Sequence, residues 1–188
     1  MILVYVNKAE YVFKITLVGN GAVGKTSIRN RYMGHGFSHS HQMTLGADFS
    51  VIEKEIYPNE IWRFQIWDLA GQPIFKEVRG RFYNGSMGAL VVFDITNRKS
   101  LKDSTIWIRE LFKYCGKTVV PIILLANKSD LRTRKSVSNK EAQKFINILN
   151  KGTRSFGVEN SFLETSAKTG LNIDEAFTRL GNAIRTRF

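Results

Sequence analysis

Short apolar runs recur along the chain, and each is followed by a polar loop and then by apolar residues at helical spacing. Strands that alternate with helices in this way are typical of βαβ units, in which helices cover both faces of a mostly parallel sheet. The pattern therefore predicts an α/β fold. The runs are YVFKITLVG at 11–19, GALVVFD at 88–94, VPIILLAN at 120–127 and SFLET at 161–165.

One segment departs from this alternation. The strand-like runs DFSVIEKEI at 48–56 and IWRFQIWD at 61–68 have only YPNE between them. Pro58 and Asn59 are residues that favour tight turns. We therefore expect two consecutive strands to pair directly, which gives one antiparallel pair in an otherwise parallel sheet.

Two helices have recognisable start signals. Ser138 followed by Glu141 is a capping-box pattern, and Asn172 with Glu175 offers the same kind of start to the last helix. Apolar residues at helical spacing predict the buried faces. These are Leu101, Thr105, Ile108, Leu111, Phe112 and Cys115 on one helix, Ala142, Phe145, Ile146 and Leu149 on the next, and Ile173, Ala176, Phe177, Leu180 and Ile184 on the last.

The length of 188 residues predicts one domain, which we place at residues 11–188 with residues 1–10 as an N-terminal extension. The single cysteine, Cys115, excludes a disulfide within the chain and is expected to be a buried core thiol. A reducing, cytoplasmic location follows from this cysteine usage. No apolar run is long enough to span a membrane.

The chain has a formal net charge of +12, from 28 basic and 16 acidic residues. Basic residues are concentrated at 131–156, where Glu141 is the only acid. A solvated helix face is the favoured interpretation of this segment. Contact with an anionic membrane surface is the alternative, and specific nucleic-acid binding ranks last because only the charge suggests it.

The segment from Gly19 to Thr26, GNGAVGKT, fits the pattern G-x-x-x-x-G-K-[ST] and directly follows a predicted strand. Small residues allow the backbone to wrap a phosphate, and the following helix presents its positive N-terminal end. Lys25 would then contact the outer phosphates, and the Thr26 hydroxyl would bind Mg²⁺. The sequence therefore predicts a nucleotide site here.

Three further motifs follow predicted strands. Asp68 to Gln72 reads DLAGQ, in which a carboxylate could reach a Mg²⁺ ion and a glycine amide a terminal phosphate. Asn127 to Asp130 reads NKSD, and Ser166 to Lys168 reads SAK. The Asp130 carboxylate can accept hydrogen bonds from the ring N–H and the amine of guanine, a donor pair that adenine lacks. Ligands of open α/β sheets bind along the edge that these motifs share.

In this order, the motifs resemble those of the Ras superfamily of small GTPases, and especially its Rab branch. The resemblance covers residues 11–188, and its Rab-like features are TLGADF at 44–49, WDLAGQ at 67–72 and FDITNRKS at 93–100. It implies a P-loop NTPase fold with a six-stranded sheet, one antiparallel edge strand and five helices on both faces. It also implies GTP and GDP binding with Mg²⁺, slow GTP hydrolysis, and a switch that recruits effectors, with membrane trafficking as the expected process.

The resemblance also assigns site residues. Gln72, Gly71 and Lys25 are the expected catalytic residues, with Gln72 orienting the attacking water. Thr26, Thr44 and Asp68 are expected at the metal. The expected nucleotide-binding residues are Asn20, Gly21, Ala22, Val23, Gly24, Lys25, Thr26, Ser27, Phe37, Thr44, Gly71, Asn127, Lys128, Asp130, Ser166, Ala167 and Lys168.

Partners follow from the same resemblance. Effectors would bind residues 34–49 and 68–84, the first and second switches, and an exchange factor and a GTPase-activating protein are expected. Phe49, Trp67 and Phe82 match the aromatic trio that Rab proteins use to bind effectors, and a core role for each is the alternative. No arginine is evidently placed to act as a catalytic finger within the chain.

Two departures from the family pattern bear on activity. Pro73 follows Gln72 where the family usually has glutamate, and a proline removes a backbone donor and fixes φ at the start of the second switch. A nucleotide-binding scaffold without productive hydrolysis is therefore the alternative function, and an ATP-using enzyme is disfavoured by Asp130. The sequence ends at IRTRF without the cysteine that carries a Rab prenyl group, so a membrane contact would need a missing anchor or the basic segment.

All three histidines, His35, His39 and His41, fall within the first switch. A fixed metal there is disfavoured because this loop must order and disorder with the γ-phosphate. His41 lies near the position where relatives have an aromatic residue over the nucleotide, so its imidazole is expected to donate to phosphate oxygens. Solvated loop residues are the expectation for the other two.

Overall fold

The computed structural model describes residues 8–37, 43–116 and 119–187. The strands are β1 (Ala9–Val18), β2 (Ala47–Tyr57), β3 (Glu60–Leu69), β4 (Gly88–Asp94), β5 (Ile122–Asn127) and β6 (Ser161–Glu164). The α-helices are α1 (Lys25–Tyr32), α2 (Lys76–Tyr83), α3 (Arg98–Tyr114), α4 (Asn139–Thr153) and α5 (Ile173–Arg185). Short 3-10 helices cover Pro73–Phe75, Ser129–Leu131 and Arg154–Phe156.

The six strands form one sheet in the order β2-β3-β1-β4-β5-β6. The edge strand β2 is antiparallel to β3, and every other pair is parallel. The turn between β2 and β3 consists of Pro58 and Asn59, and Asn59 adopts the left-handed conformation with φ 67°, which asparagine tolerates better than most residues. The predicted fold class is therefore confirmed, including its single antiparallel edge strand.

Helices pack on both faces of this sheet, which gives two hydrophobic clusters. One cluster contains side chains from α1 and α5, and the other contains side chains from α2, α3 and α4. Strand β4 contributes to both: Leu90 and Val92 face the first cluster, and Val91 and Phe93 face the second. A strand that is buried on both faces explains why GALVVFD is apolar throughout instead of alternating.

The helix start signals had different outcomes. Ser138 and Glu141 form the predicted capping box at α4, with both reciprocal hydrogen bonds present. Helix α5 begins directly after Asn172, as predicted, but the predicted side-chain cap is absent: Asn172 has φ 55° and makes no capping hydrogen bond to α5. Its amide nitrogen instead donates to the backbone oxygen of Glu164 at 2.8 Å, so the side chain ties the helix entry to β6.

The buried faces of α4 and α5 agree with the predicted spacing, but one residue of α3 does not. Thr105 is exposed, whereas Ser104 and Trp107 are buried. The small side chain of Ser104 is buried where the spacing predicted Thr105, and its hydroxyl donates to the Ser100 carbonyl at 3.1 Å. Cys115 is buried as predicted, and burial raises the pKa of its thiol.

Strand β1 begins at Ala9, two residues before the predicted beginning of the domain. Its first residues pair with the start of β3, from Ala9 beside Glu60. Residues 1–7, most of the predicted extension, lie outside the described residues. Because β1, β3, β4, β5 and β6 are parallel, their carboxyl ends meet along one edge of the sheet, where all four sequence motifs fall.

Candidate functional site

The loop between β1 and α1 requires glycine at both of its ends. Gly19 has φ 143°, and a Cβ there would lie 2.1 Å from the carbonyl oxygen of Val92. Gly24 has φ 99°, and a Cβ there would lie 2.3 Å from the side-chain nitrogen of Asn127. The first turn of α1 contains no acidic residue, so its N-terminal positive end is not neutralised within that turn. The loop is therefore shaped for a phosphate group.

A cavity of about 310 Å³ opens above this loop. It is lined by residues of the loop, of α1 and of both switches. Three of its lining residues, Asn30, Gly36 and Met43, were not predicted. Asn30 lies one helical turn after Thr26, so helix periodicity could have suggested it. The lining residues are Gly21, Ala22, Gly24, Lys25, Thr26, Ser27, Asn30, Gly36, Phe37, Met43, Thr44, Gly71 and Gln72.

Lys25 is buried at the wall of this cavity. Its ammonium donates to the carbonyl oxygens of Gly19 at 2.9 Å and Asn20 at 2.8 Å. Burial lowers the pKa of Lys25 to about 8; the Asp68 carboxylate opposes that shift and the Arg79 guanidinium adds to it. An anionic ligand beside Lys25 would stabilise its charged form, which agrees with a role in binding phosphate.

Three side chains from distant segments form an oxygen cluster beside Lys25. The Thr26 hydroxyl donates to Asp68 Oδ2 at 2.5 Å, and the hydroxyl oxygens of Thr26 and Thr44 are 3.1 Å apart. The other carboxylate oxygen of Asp68, Oδ1, is buried without a hydrogen-bond partner among the described residues. Burial raises the pKa of Asp68, although the Thr26 hydrogen bond and the charge of Lys25 oppose it.

This cluster fits Mg²⁺. Two hydroxyls and one carboxylate are the hard oxygen ligands that Mg²⁺ prefers, and the unpartnered Asp68 Oδ1 is available to the coordination shell, directly or through water. One carboxylate is too few for an all-protein site, so phosphate and water oxygens would complete the shell. Within residues 8–37, 43–116 and 119–187, no group of three or more His, Cys, Asp or Glu could hold a metal instead.

The segment after β3 packs directly on the phosphate loop. A Cβ on Gly71 would lie 2.4 Å from the backbone of both Asn20 and Gly21, so only glycine allows this approach. Gln72 lines the cavity in an extended conformation, with φ −83° and ψ 141°. Pro73 is the first residue of a 3-10 helix, where its missing N–H costs little and its ring favours the extended conformation of Gln72. The proline is therefore compatible with Gln72 at the cavity wall.

Asn127, at the end of β5, connects two other loops. Its amide nitrogen donates to the carbonyl of Val23 at 2.8 Å, and its oxygen accepts from the backbone N–H of Ala167 at 3.2 Å. Asp130 Oδ1 accepts from the Ser166 hydroxyl at 2.6 Å. Lys128 adopts φ 66° and pairs with Asp94 at 2.6 Å. The NKSD and SAK motifs therefore lie together, next to the phosphate loop, with the Asp130 carboxylate held in place.

Two predicted binding residues make contacts that the sequence did not suggest. The Asn20 side chain donates to Asp103 and accepts from the indole N–H of Trp107, each at 2.7 Å, so it points to α3 and only its backbone faces Lys25. The Lys168 carbonyl accepts from Arg31 of α1 at 2.7 Å. No arginine is among the described residues that line the cavity.

The predicted aromatic trio forms one cluster across β2, β3 and α2. Ring centroids of Phe49 and Trp67 are 4.7 Å apart, and those of Trp67 and Phe82 are 5.3 Å apart. Phe49 is 47% exposed, and the switch residues Leu45 and Ile74 are 78% and 83% exposed. Within the trio, Trp67 and Phe82 are therefore partly buried, and Phe49 is exposed. Of the histidines, His35 is exposed, whereas His39 and His41 lie outside the described residues.

The strand order, the glycine-rich phosphate loop and the convergent motifs at the carboxyl edge define a P-loop nucleotide-binding protein. The Ras family model matches residues 14–186, and the chain belongs to the Ras family. It is 39% identical to Ras-related protein Rab-11C of Dictyostelium discoideum, over 92% of this chain and 72% of that protein. It is 35% identical to Ras-related protein Rab-8 of Diplobatis ommata and to human Ras-related protein Rab-8B, over 95% of this chain and 80% and 81% of those proteins. The chain is therefore a Rab-like small GTPase, a GTP hydrolase by family.

Proposed function

We propose that the cavity and the neighbouring NKSD and SAK loops bind GTP and GDP together with Mg²⁺, and that GTP holds both switches closed. The contact of Thr44 with Thr26 beside Asp68 carries this proposal. This contact connects the first switch, the phosphate loop and the end of β3, which are far apart in the sequence. An oxygen cluster of this kind suits Mg²⁺.

Each residue has a distinct role in the proposed mechanism. The phosphate-loop amides and Lys25 bind the phosphates, and Asp130 binds the guanine edge. Thr26 and Thr44, together with Asp68, would hold Mg²⁺, and the bound ion would supply positive charge against the phosphates. Gln72, at the cavity wall, orients the attacking water. Because no arginine lines the described cavity, intrinsic hydrolysis is slow, and an activator's arginine would accelerate it by about 10³–10⁵-fold.

The γ-phosphate is the contact that distinguishes the two states. Thr44, which would help to hold Mg²⁺, and the Gly71 amide would both depend on it, so its loss would release residues 34–48 and 68–84. Effectors would then bind the closed state through the aromatic trio and the exposed Leu45 and Ile74, which offer a mostly apolar surface. A role in membrane trafficking is part of this proposal, and it is supported by the likeness to Rab proteins.

Single-turnover hydrolysis by wild-type protein and by Gln72→Leu tests the proposal. Because Gln72 orients the water, the substitution is expected to reduce the rate constant at least about tenfold, which corresponds to about 1.4 kcal/mol in the barrier. Nucleotide affinity should be unchanged, and omission of Mg²⁺ should abolish turnover in both. Equal rates near zero would instead support the nucleotide-binding scaffold, which family membership and the position of Gln72 disfavour.

The basic residues of segment 131–156 are exposed, in and around α4, and none of them lines the cavity. We propose that they form a solvated surface. No helix in the described ranges is long and apolar enough to cross a membrane. Sedimentation with anionic and neutral vesicles separates the two interpretations: a solvated surface leaves the protein in solution with both, whereas binding to anionic vesicles alone, lost in a Lys140→Glu, Lys144→Glu and Lys151→Glu variant, would establish a membrane contact.

A further inference from the structure

Arg79 of α2 is a buried cation that contacts the catalytic segment without facing the cavity. Its side chain is almost fully enclosed, with 2% of the residue exposed. Its Nη1 donates to the carbonyl oxygens of Ala70 at 3.0 Å and Gln72 at 2.7 Å. These two carbonyls flank Gly71. Arg79 therefore holds the backbone on both sides of the residue that packs against the phosphate loop.

Glu110 of α3 fixes the orientation of this guanidinium. The Nε and Nη2 groups of Arg79 donate to the two carboxylate oxygens of Glu110 at 2.7 and 3.1 Å, which is a bidentate pair. Tyr83 donates a further hydrogen bond to Glu110 at 3.2 Å, and Glu110 is only 6% exposed. Arg79 has few other orientations because a buried charge must keep its partner.

Trp107 extends these contacts to the phosphate loop. The guanidinium carbon of Arg79 lies 4.6 Å from the centroid of the Trp107 ring, a cation–π distance. The indole N–H of Trp107 donates to the Asn20 side chain, and the backbone of Asn20 is where Gly71 packs. Contacts therefore link the phosphate loop to α3, α3 to Arg79, and Arg79 to the segment 70–72. That segment in turn packs on the phosphate loop.

We propose that Arg79, oriented by Glu110 and Trp107, is a positioning residue for Gln72. This inference rests on the proposed role of Gln72 in orienting water. Pro73 leaves the peptide after Gln72 without an N–H, so the backbone there has one hydrogen-bonding group fewer with which to fix its position. The Arg79 hydrogen bonds to the Ala70 and Gln72 carbonyls hold this segment, and with it the direction of the Gln72 side chain.

A paired substitution separates positioning from stability. Arg79→Ala alone leaves Glu110 buried and unpaired, which destabilises folding. The double variant Arg79→Met with Glu110→Met removes both charges and keeps apolar volume. We expect it to bind GTP and GDP with wild-type affinity and to hydrolyse GTP about 10–100-fold more slowly in single turnover, since small misplacements of catalytic groups cost up to about 10²-fold. The exposed pair Arg179 and Glu175 of α5, changed in the same way, is the control and should leave the rate unchanged.

The Gln72→Leu background decides whether Arg79 acts through Gln72. There, the double variant should cause no further loss, because the group being positioned is already gone. A wild-type rate in the double variant, or an equal loss with and without Gln72, would overturn the positioning role. Equal rates in wild-type protein and Gln72→Leu would overturn the proposed function itself, so the two failures are distinguishable.

Discussion

Replacing Asp130 by asparagine is expected to reduce GTP affinity by about 10²–10⁴-fold. The carboxylate would accept two hydrogen bonds from guanine, and a charged hydrogen bond contributes about 1.5–3 kcal/mol. The amide in its place directs a donor at the guanine amine, which is itself a donor. Xanthosine triphosphate has a carbonyl at that position, so its affinity should rise. Competition binding with both nucleotides measures the change in preference.

Ser166→Ala is the matched control for this change in base recognition. The Ser166 hydroxyl donates to Asp130 at 2.6 Å and fixes the carboxylate, but it is not proposed to donate a hydrogen bond to the base. Its loss should weaken GTP binding modestly, by up to about tenfold for one hydrogen bond. It should not create a preference for xanthine. An Asp130→Asn protein with the wild-type ratio of GTP to xanthosine triphosphate affinity would contradict the assignment of Asp130.

Gly71→Ala is expected to reduce the GTP hydrolysis rate about 10²-fold while GDP affinity stays near that of the wild type. The added Cβ would lie 2.4 Å from the backbone of Asn20 and Gly21, and backbone atoms cannot move aside as a flexible side chain can. The segment must therefore leave the phosphate loop, which displaces Gln72 from the cavity wall. GDP lacks the γ-phosphate that Gly71 is proposed to contact. Single-turnover hydrolysis and GDP titration report the two effects separately.

Gly152→Ala in α4 is the control for this substitution. A Cβ at Gly152 would meet no atom within 4 Å, and the helix favours alanine by at most about 1 kcal/mol. This protein should hydrolyse GTP at the wild-type rate and unfold at the same or a slightly higher temperature. Hydrolysis by Gly71→Ala at the wild-type rate would show that close packing of Gly71 on the phosphate loop is not needed for catalysis.

The sequence predicted the parallel sheet and the edge at which the site lies, because both follow from short-range patterns. Each motif directly follows a strand, and parallel strands bring their carboxyl ends together whatever the details of packing. The same reasoning placed the DLAGQ motif beside the phosphate loop. It also predicted GALVVFD as a strand of this sheet, and the burial of that strand on both faces explains its lack of polar alternation.

The contacts behind the site could not be predicted in this way. Arg79 and Glu110 are on different helices and belong to no common motif. The residue type alone does not show whether an arginine is buried or exposed to solvent. Asn20 was assigned to the nucleotide because of its place in the loop, but its side chain reaches Trp107 of α3. Asn172 is a residue type that is common at helix N-caps, but its backbone is left-handed and its side-chain amide donates to the end of β6. In each case tertiary packing decided the contact.

The nucleotide that accompanies the purified protein tests the central claim most directly. Denaturing the protein and separating the released nucleotides identifies the base and the number of phosphates, and incubation with Mg²⁺ before denaturation follows conversion over time. We predict guanine nucleotide, with GTP converted slowly to GDP and the conversion delayed in Gln72→Leu. Release of adenine nucleotide, or of GTP that stays unconverted in the presence of Mg²⁺, would contradict the account of this site.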